Sequence, residues 1–137
     1  KLIMEGRPID IYNNGDMYRD FTYIDDIVAG IVALIGHSPG PALPDFTGNS
    51  KEAGSPYRLY NIGNNKPISL LTFISVLEKH LGREARKNLL PMQPGDVYRT
   101  CADISRLSEE IGYDPQTGIE DGLEKFVAWF MDYYHTA

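Results

Sequence analysis

Basic residues are scarce: 13 Lys and Arg stand against 19 Asp and Glu, for a net charge of -6 and a pI near 4.9. Binding nucleic acid by phosphate neutralisation needs a clustered cationic excess, so the composition predicts no nucleic-acid partner while leaving individual arginines free to meet a small anion. Cysteine is almost absent. The single Cys101 excludes an internal disulfide and points to a reducing compartment. No apolar run approaches the roughly 20 residues that a bilayer crossing takes, and the opening KLIMEGRPID lacks the regions of a signal peptide. The reading is a soluble, cytoplasmic chain with no membrane partner. His37, His80 and His135 are scattered, without a Cys or Ser partner, and read as surface or helix-end residues; no metal set is expected.

What is present suits one compact unit, since 137 residues with 42% hydrophobic content can bury a core of about one domain's size. The chain starts without Met inside KLIMEG, where Gly6 and Pro8 would end a helix, and the expectation is a piece of a longer protein. IDIY (Ile9 to Tyr12) reads as a strand, NNGD as a tight turn tolerating positive φ, and RDFTY as an extended continuation, together a hairpin-like entry. From Ile24 the apolar residues Ile27, Val28, Ile31, Leu34 and Ile35 recur at helical spacing. The Pro- and Gly-rich run from Gly36 to Pro56 reads as a long surface loop, and YRLYNIG (Tyr57 to Gly63) as a strand. Ser69 caps a helix to Leu81 that Gly82 closes, KNLLP is extended, and Asp103 caps a short helix from Ile104 to Ile111. The last helix opens on a capping box of Thr117 and Glu120 and turns Ile119, Leu123, Phe126, Val127, Phe130 and Tyr134 inward.

Two stretches carry candidate chemistry. In GDMYRDFTYIDDI, Arg19 ends an extended segment between Tyr18 and Phe21, a placement that suits bidentate contact with a phosphate or carboxylate and equally suits a structural pair with Asp20 or Asp26. Asp25 and Asp26 lie in a first helical turn, where exposed amides and the macrodipole favour carboxylates, so they are assigned to helix capping. In MQPGDVYRTCAD, Pro94 and Gly95 force a turn that presents Asp96. A carboxylate so held can accept two hydrogen bonds from a vicinal diol such as a ribose, although Pro-Gly-Asp is also a common turn. NIGNN (Asn61 to Asn65) has too few glycines for a dinucleotide fingerprint. Arg83, Arg86 and Lys87 read as a solvated helix end, and Tyr133 and Tyr134 as packing at a rim.

Taken in order, GDMYRDFTYIDDIVAGI, YNIGNNKPISLLTFISVLEKHLG and NLLPMQPGDVYRTCADISRLSEEIGYDPQTGIEDGLEKFVAWF resemble the C-terminal part of nucleotide-sugar epimerases of the extended short-chain dehydrogenase superfamily, UDP-glucuronate 4-epimerases above all. The resemblance covers nearly the whole chain. It implies an α/β fold, mixed α+β in isolation: residues 1–137 would be the C-terminal UDP-sugar-binding portion, lacking the N-terminal Rossmann half that carries NAD and the Tyr-x-x-x-Lys pair. Neither that pair nor G-x-G-x-x-G occurs here. The implied reaction interconverts UDP-glucuronate and UDP-galacturonate at C4 through a 4-keto intermediate, in a homo-oligomer, with this chain alone inactive. By the same resemblance Arg19 contacts the diphosphate, Asp96 holds the ribose hydroxyls, Tyr12 borders the nucleotide and Asn61 lies beneath the phosphates. Gln93 stands where UDP-galactose 4-epimerases place an arginine, which takes one cation from the phosphate site. Another NAD-dependent nucleotide-sugar enzyme, whether a 4-epimerase, dehydratase or decarboxylase, remains open, as does a non-catalytic interaction domain.

Overall fold

A computed structural model of the chain describes residues 1–37 and 58–134. Tyr57, His135 and most of the expected Gly36 to Pro56 loop lie outside the described residues. Two small sheets and four helices make up the rest. Strand β1 (Ile9–Ile11) runs parallel to β4 (Lys87–Leu89), with Ile11 opposite Leu89, and β2 (Tyr18–Arg19) runs antiparallel to β3 (Ile68–Ser69).

The expected hairpin therefore does not form. β1 ends at Ile11, and Tyr12–Gly15 is a tight 3₁₀ turn in which Asn13, Asn14 and Gly15 all take positive φ, at 48, 51 and 84°. Asn tolerates that region because its short amide can bond locally, as the Asn13 side chain does to the Asp16 carbonyl at 2.7 Å. The turn is tied to the end of β4 by Asn14 N–H to Leu90 O and Leu90 N–H to Ile11 O, both 2.9 Å, and with β1 paired to β4 and β2 to β3 the two segments flanking the turn do not pair with each other. At Gly15 a Cβ would come within 2.5 Å of the Leu71 side chain; the turn is pressed against the helix that follows β3.

That helix, α2 (Leu70–Leu81), starts and stops where the sequence predicts. Ser69 Oγ accepts the Thr72 N–H at 3.0 Å, and Gly82 at φ 62° returns its N–H to the Glu78 and Lys79 carbonyls. Helix α4 (Ile119–Tyr134) packs across it, burying Leu123, Val127 and Phe130 beside Ile74. Phe126 and Tyr134, expected inward, are exposed, because the buried stripe is only as wide as the face α2 covers. The capping box is absent too. The Gly118 carbonyl takes the Gly122 N–H at 2.9 Å and so starts the helix one residue later, while the Glu120 carboxylate turns to Lys79, with the His80 ring 3.4 Å away.

A second cluster gathers Ile104, Leu107 and Tyr113 around the short α3 (Ser105–Ile111), with Leu34, Tyr60 and Ile62 packed on it. Asp103 caps from one residue further out than predicted, taking the Ser105 N–H at 3.0 Å; bonds from Ser105 hold its carboxyl below the ordinary value. Residues 58–63 form no strand, for their backbone finds no ladder partner among the described residues. Side chains hold them instead: Arg58 bonds Glu110 at 2.9 Å, Tyr60 donates to the same carboxylate, and the buried Tyr113 hydroxyl donates to Gly63 O at 3.1 Å. Burial and donation to Glu110 push the Tyr60 hydroxyl up; burial acts to raise the Glu110 carboxyl, but bonds from Tyr60 and Arg58 outweigh it and hold it low.

Helix α1 (Ile24–Ile35) is held by its small side. Gly30 is its buried residue, and a Cβ there would meet Tyr113 Cε2 at 2.9 Å. Leu34 packs onto the α3 cluster, but most of the apolar stripe faces outward, with Ile24, Val28, Ile31 and Val32 exposed and Ile35 81% exposed.

Candidate functional site

Arg19 and Asp96, 77 positions apart, meet at the end of β2. The segment after Gly95 runs alongside that strand: Tyr18 N–H donates to Tyr98 O at 2.9 Å, Thr100 N–H donates to Tyr18 O at 3.2 Å, and Tyr18 pairs with Arg99 in a parallel bridge. Asp96 enters through a turn closed by its own N–H on Gln93 O at 3.2 Å, with Gly95 at φ 84°, the Pro-Gly geometry the sequence predicts. Arg19 Nη2 then donates to Asp96 Oδ1 at 2.9 Å, while Nη1 donates to the Tyr18 and Tyr98 carbonyls at 2.9 and 3.3 Å. The arginine's protein partner is thus Asp96, and neither Asp20 nor Asp26.

Asp96 Oδ1 is doubly engaged, taking the Val97 N–H at 2.8 Å as well. Oδ2 carries no hydrogen bond among the described residues and can accept from hydroxyls. The pair is half-buried, with side chains 24% and 31% exposed, and so opens to solvent on one side. The Tyr98 ring lies 5.8 Å from that of Tyr18, and its hydroxyl donates to Asp16 Oδ1 at 3.0 Å, which holds the phenol above its ordinary value.

Gln93 is exposed at the start of the Asp96 turn, and Tyr12 leads out of β1 into the turn bonded to Leu90, three residues before Gln93. Asn61 lies apart from the pair; its amide donates to the Asp103 carbonyl at 3.2 Å, at the entrance to α3. Asp26 is no cap for its own helix. It clamps the segment before α4, accepting Gln116 and Thr117 N–H at 3.4 and 3.1 Å. Arg83 and Arg86 are likewise not merely solvated, since they donate to the carbonyls of Met4 and Gly6, and Lys87 pairs with Glu78. In the sequence Asp20 reads only as a partner for Arg19. Its carboxylate instead receives three backbone amides, from Asn65 at 3.1 Å, Lys66 at 3.3 Å and Ala102 at 2.8 Å. No spacing rule would have found it, because the three donors lie 45 to 82 positions away.

A cavity of about 560 Å³ opens elsewhere, between the β2–α1 connection, Phe73 of α2 and Phe126 and Trp129 of α4. Its walls are almost wholly apolar, and Lys125, the one cation among the described residues that line it, sits over the Tyr23 ring at 5.0 Å. An anionic ligand needs fixed donors, and the Arg19–Asp96 edge offers a guanidinium where the cavity wall is apolar, so that edge is the better candidate for such a ligand. Among the described residues no cluster of three or more His, Cys, Asp or Glu could hold a metal. Nor do the residues present fit NAD: no loop carries the glycines that let a backbone approach a pyrophosphate, and no Tyr-x-x-x-Lys pair exists. No helix among the described residues is long and apolar enough to cross a membrane.

The fold is the mixed α/β C-terminal portion of an extended short-chain dehydrogenase. Residues 2–126 match the sequence model of the GDP-mannose 4,6 dehydratase family, and the chain belongs to that family. It is 45% identical to Protein CapI of Staphylococcus aureus, over 98% of this chain and 41% of that protein. It is 43% identical to UDP-glucuronate 4-epimerase 1 of Arabidopsis thaliana, over 96% and 31%. Among solved structures, the UDP-glucuronic acid 4-epimerase of Bacillus cereus, in complex with UDP-glucuronic acid and NAD, superposes with a TM-score of 0.76 at 34% identity, covering 97% of this chain and 38% of that one. The chain therefore spans about two fifths or less of the length of the curated relatives it matches.

Proposed function

We propose that this chain is the UDP-sugar-binding portion of a longer, NAD-dependent nucleotide-sugar 4-epimerase acting on UDP-glucuronate and UDP-galacturonate. The observation that carries the reading is the meeting of Arg19 and Asp96 on one open edge, a fixed cation beside a carboxylate whose Oδ2 is free for a diol. A UDP-sugar presents that combination, a diphosphate next to a ribose. Gln93, exposed at the start of the Asp96 turn, adds no charge there, Tyr12 is assigned to border the nucleotide, and Asn61 is the weakest of the assigned contacts because its amide is already given to the Asp103 carbonyl. The named epimerases among the relatives and solved structures support the choice of reaction. The chain's own part is to bind and orient; NAD belongs to residues outside it, and the 137 residues alone are inactive.

The family description favours a second reading, a dehydratase. One assay separates the two. The longer protein is incubated with UDP-glucuronate and, in parallel, with GDP-mannose, UDP-glucose and dTDP-glucose, and the products are followed by NMR. Accumulation of UDP-galacturonate supports the proposal; loss of water from a hexose substrate, with UDP-glucuronate untouched, overturns it. Asp96→Asn should weaken UDP binding by about 1–3 kcal/mol, the scale of a charge-assisted hydrogen bond, and leave NAD affinity unchanged. Calorimetric titration reads this, and an unaltered dissociation constant would reduce Asp96 to a turn residue.

A further inference from the structure

We infer that Asp20 is a positioning residue for the nucleotide site: its carboxylate fixes the relative placement of Arg19 and Asp96 without touching the ligand. The inference rests on the reading that this edge binds a UDP-sugar. Three segments distant in sequence converge on the residue. Oδ2 takes the amides of Asn65 and Ala102, Oδ1 takes that of Lys66, and the Asp20 N–H goes to Thr100 Oγ1 at 3.1 Å. The turn after Ile62 and the segment through Ala102 are thereby pinned to the residue that follows Arg19.

The consequence for the site follows from chain connectivity. Residues 96–102 reach β2 through Tyr98 O, Thr100 N–H and the Arg19 guanidinium at one end, and through Thr100 Oγ1 and the Ala102 amide on Asp20 at the other. The first group sets which residue lies opposite Tyr18; the second stops the segment from sliding along the strand. A slide of one residue would carry Asp96 away from Arg19 by about 3.3 Å, enough to break a 2.9 Å contact. The packing around Gly63 shows how little slack the node has. A Cβ at that position would lie 2.9 Å from Asp20 Oδ2 and would collide with the Ala102 methyl, so glycine leaves room for the carboxylate. A negative charge accepting three amides is also a strong acceptor, and each of those N–H groups would lose its partner if it were removed.

A double-mutant cycle on UDP affinity in the longer protein tests the inference, with circular dichroism confirming that each variant is folded. Asp20→Ala should weaken UDP binding about tenfold, and Asp20→Asn should restore most of it, since its one carbonyl oxygen can still serve Asn65 and Ala102. On an Arg19→Ala background, Asp20→Ala should cost less than about twofold more, because the pair it positions is already gone. A purely structural residue would give independent, multiplicative losses, and that outcome overturns the inference, as does an unchanged affinity in folded Asp20→Ala. If Asp20→Ala does not fold, Thr100→Val, which removes only the hydroxyl beneath the Asp20 N–H, is carried through the same cycle. A loss of about two- to fivefold that vanishes in the Arg19→Ala background supports the inference, and a multiplicative or absent loss overturns it. Should Arg19→Ala and Asp96→Asn both leave UDP affinity intact, the nucleotide reading itself fails and the inference with it; should they weaken binding while Asp20→Ala does not, only the positioning role falls.

Discussion

Replacing Arg19 by Ala tests the centre of the argument, because the guanidinium does two things at once. It accounts for the fixed position of Asp96, and it is the cation assigned to the diphosphate. Its contact with Asp96 Oδ1 is 2.9 Å, and at an effective dielectric of about 20 that corresponds to roughly 6 kcal/mol of gross attraction. Side chains 24% and 31% exposed keep part of their hydration and are partly screened, so the net figure is that of a hydrogen bond between charged groups, about 1.5–3 kcal/mol. The bonds to Tyr18 O and Tyr98 O, at 2.9 and 3.3 Å, bring the expected loss to the upper half of that range. Urea denaturation should show a midpoint shift equivalent to about 2–3 kcal/mol at constant slope. Binding should show more. UDP affinity should fall, and uridine affinity should fall as well, by a smaller factor, since Asp96 loses its anchor even though uridine has no phosphate. The diphosphate role read from the sequence likewise predicts a larger loss for the UDP-sugar than for uridine; equal losses would point to a purely structural role. Stability unchanged to within about 0.5 kcal/mol would mean that the pair does not form in solution, and intact uridine binding beside weakened UDP binding would mean that Asp96 stands without Arg19.

Gly30→Ala should destabilise the chain by about 1–2 kcal/mol in thermal denaturation, a net of overpacking against helix propensity: the new methyl would sit 2.9 Å from a Tyr113 ring that is buried and bonded to Gly63 O. A stabilised variant would show that α1 does not rest on that ring. Glu78 is held below its ordinary 4.5 by its bond from Lys87, joined by the Ala85 N–H and opposed by burial. Its stabilisation is therefore complete above pH 4.5 and is lost as pH falls through the lower folded value, and Glu78→Gln should flatten the acid limb of stability below pH 4.5 while leaving the slope near neutrality alone. The isolated 137-residue chain should self-associate, as Ile24, Val28, Ile31, Val32 and Ile35 all stand exposed along one helix, and contiguous exposed apolar patches mark association sites. Light scattering that reports a strict monomer across a concentration series would refute that.

Helices were legible in the sequence where a local rule governs both ends. Ser69 and Gly82 bracket α2 because capping and left-handed termination are decided within four residues of each end. The same rule misled at α4, where Glu120, in the right place for a capping box, found Lys79 of the neighbouring helix a better partner than its own N-terminus. Strands fared worse. Residues 58–63 have strand composition, yet a strand is a pairing rather than a property of one segment, and no partner lies beside them among the described residues.

The candidate site divides along the same line. The turn presenting Asp96 is written in Pro94 and Gly95, and the fixed charge of Arg19 needs no fold to be recognised. That the two should meet is not written locally at all, because it depends on residues 96–100 lying parallel to β2, a register set by Tyr18, Tyr98 and Thr100 backbone bonds and by the carboxylate of Asp20. Parallel neighbours have no connecting turn to announce them, and here the partners lie 77 positions apart. The arginine and the aspartate are thus separately readable as a cation and an acceptor; only their convergence makes them complementary to a diphosphate joined to a diol. Asp20, assigned to hold that convergence, stands in the sequence next to Arg19, where a carboxylate reads as the arginine's own counter-ion; its partners, the amides of Asn65, Lys66 and Ala102, are distant in sequence and are brought to it only by the fold.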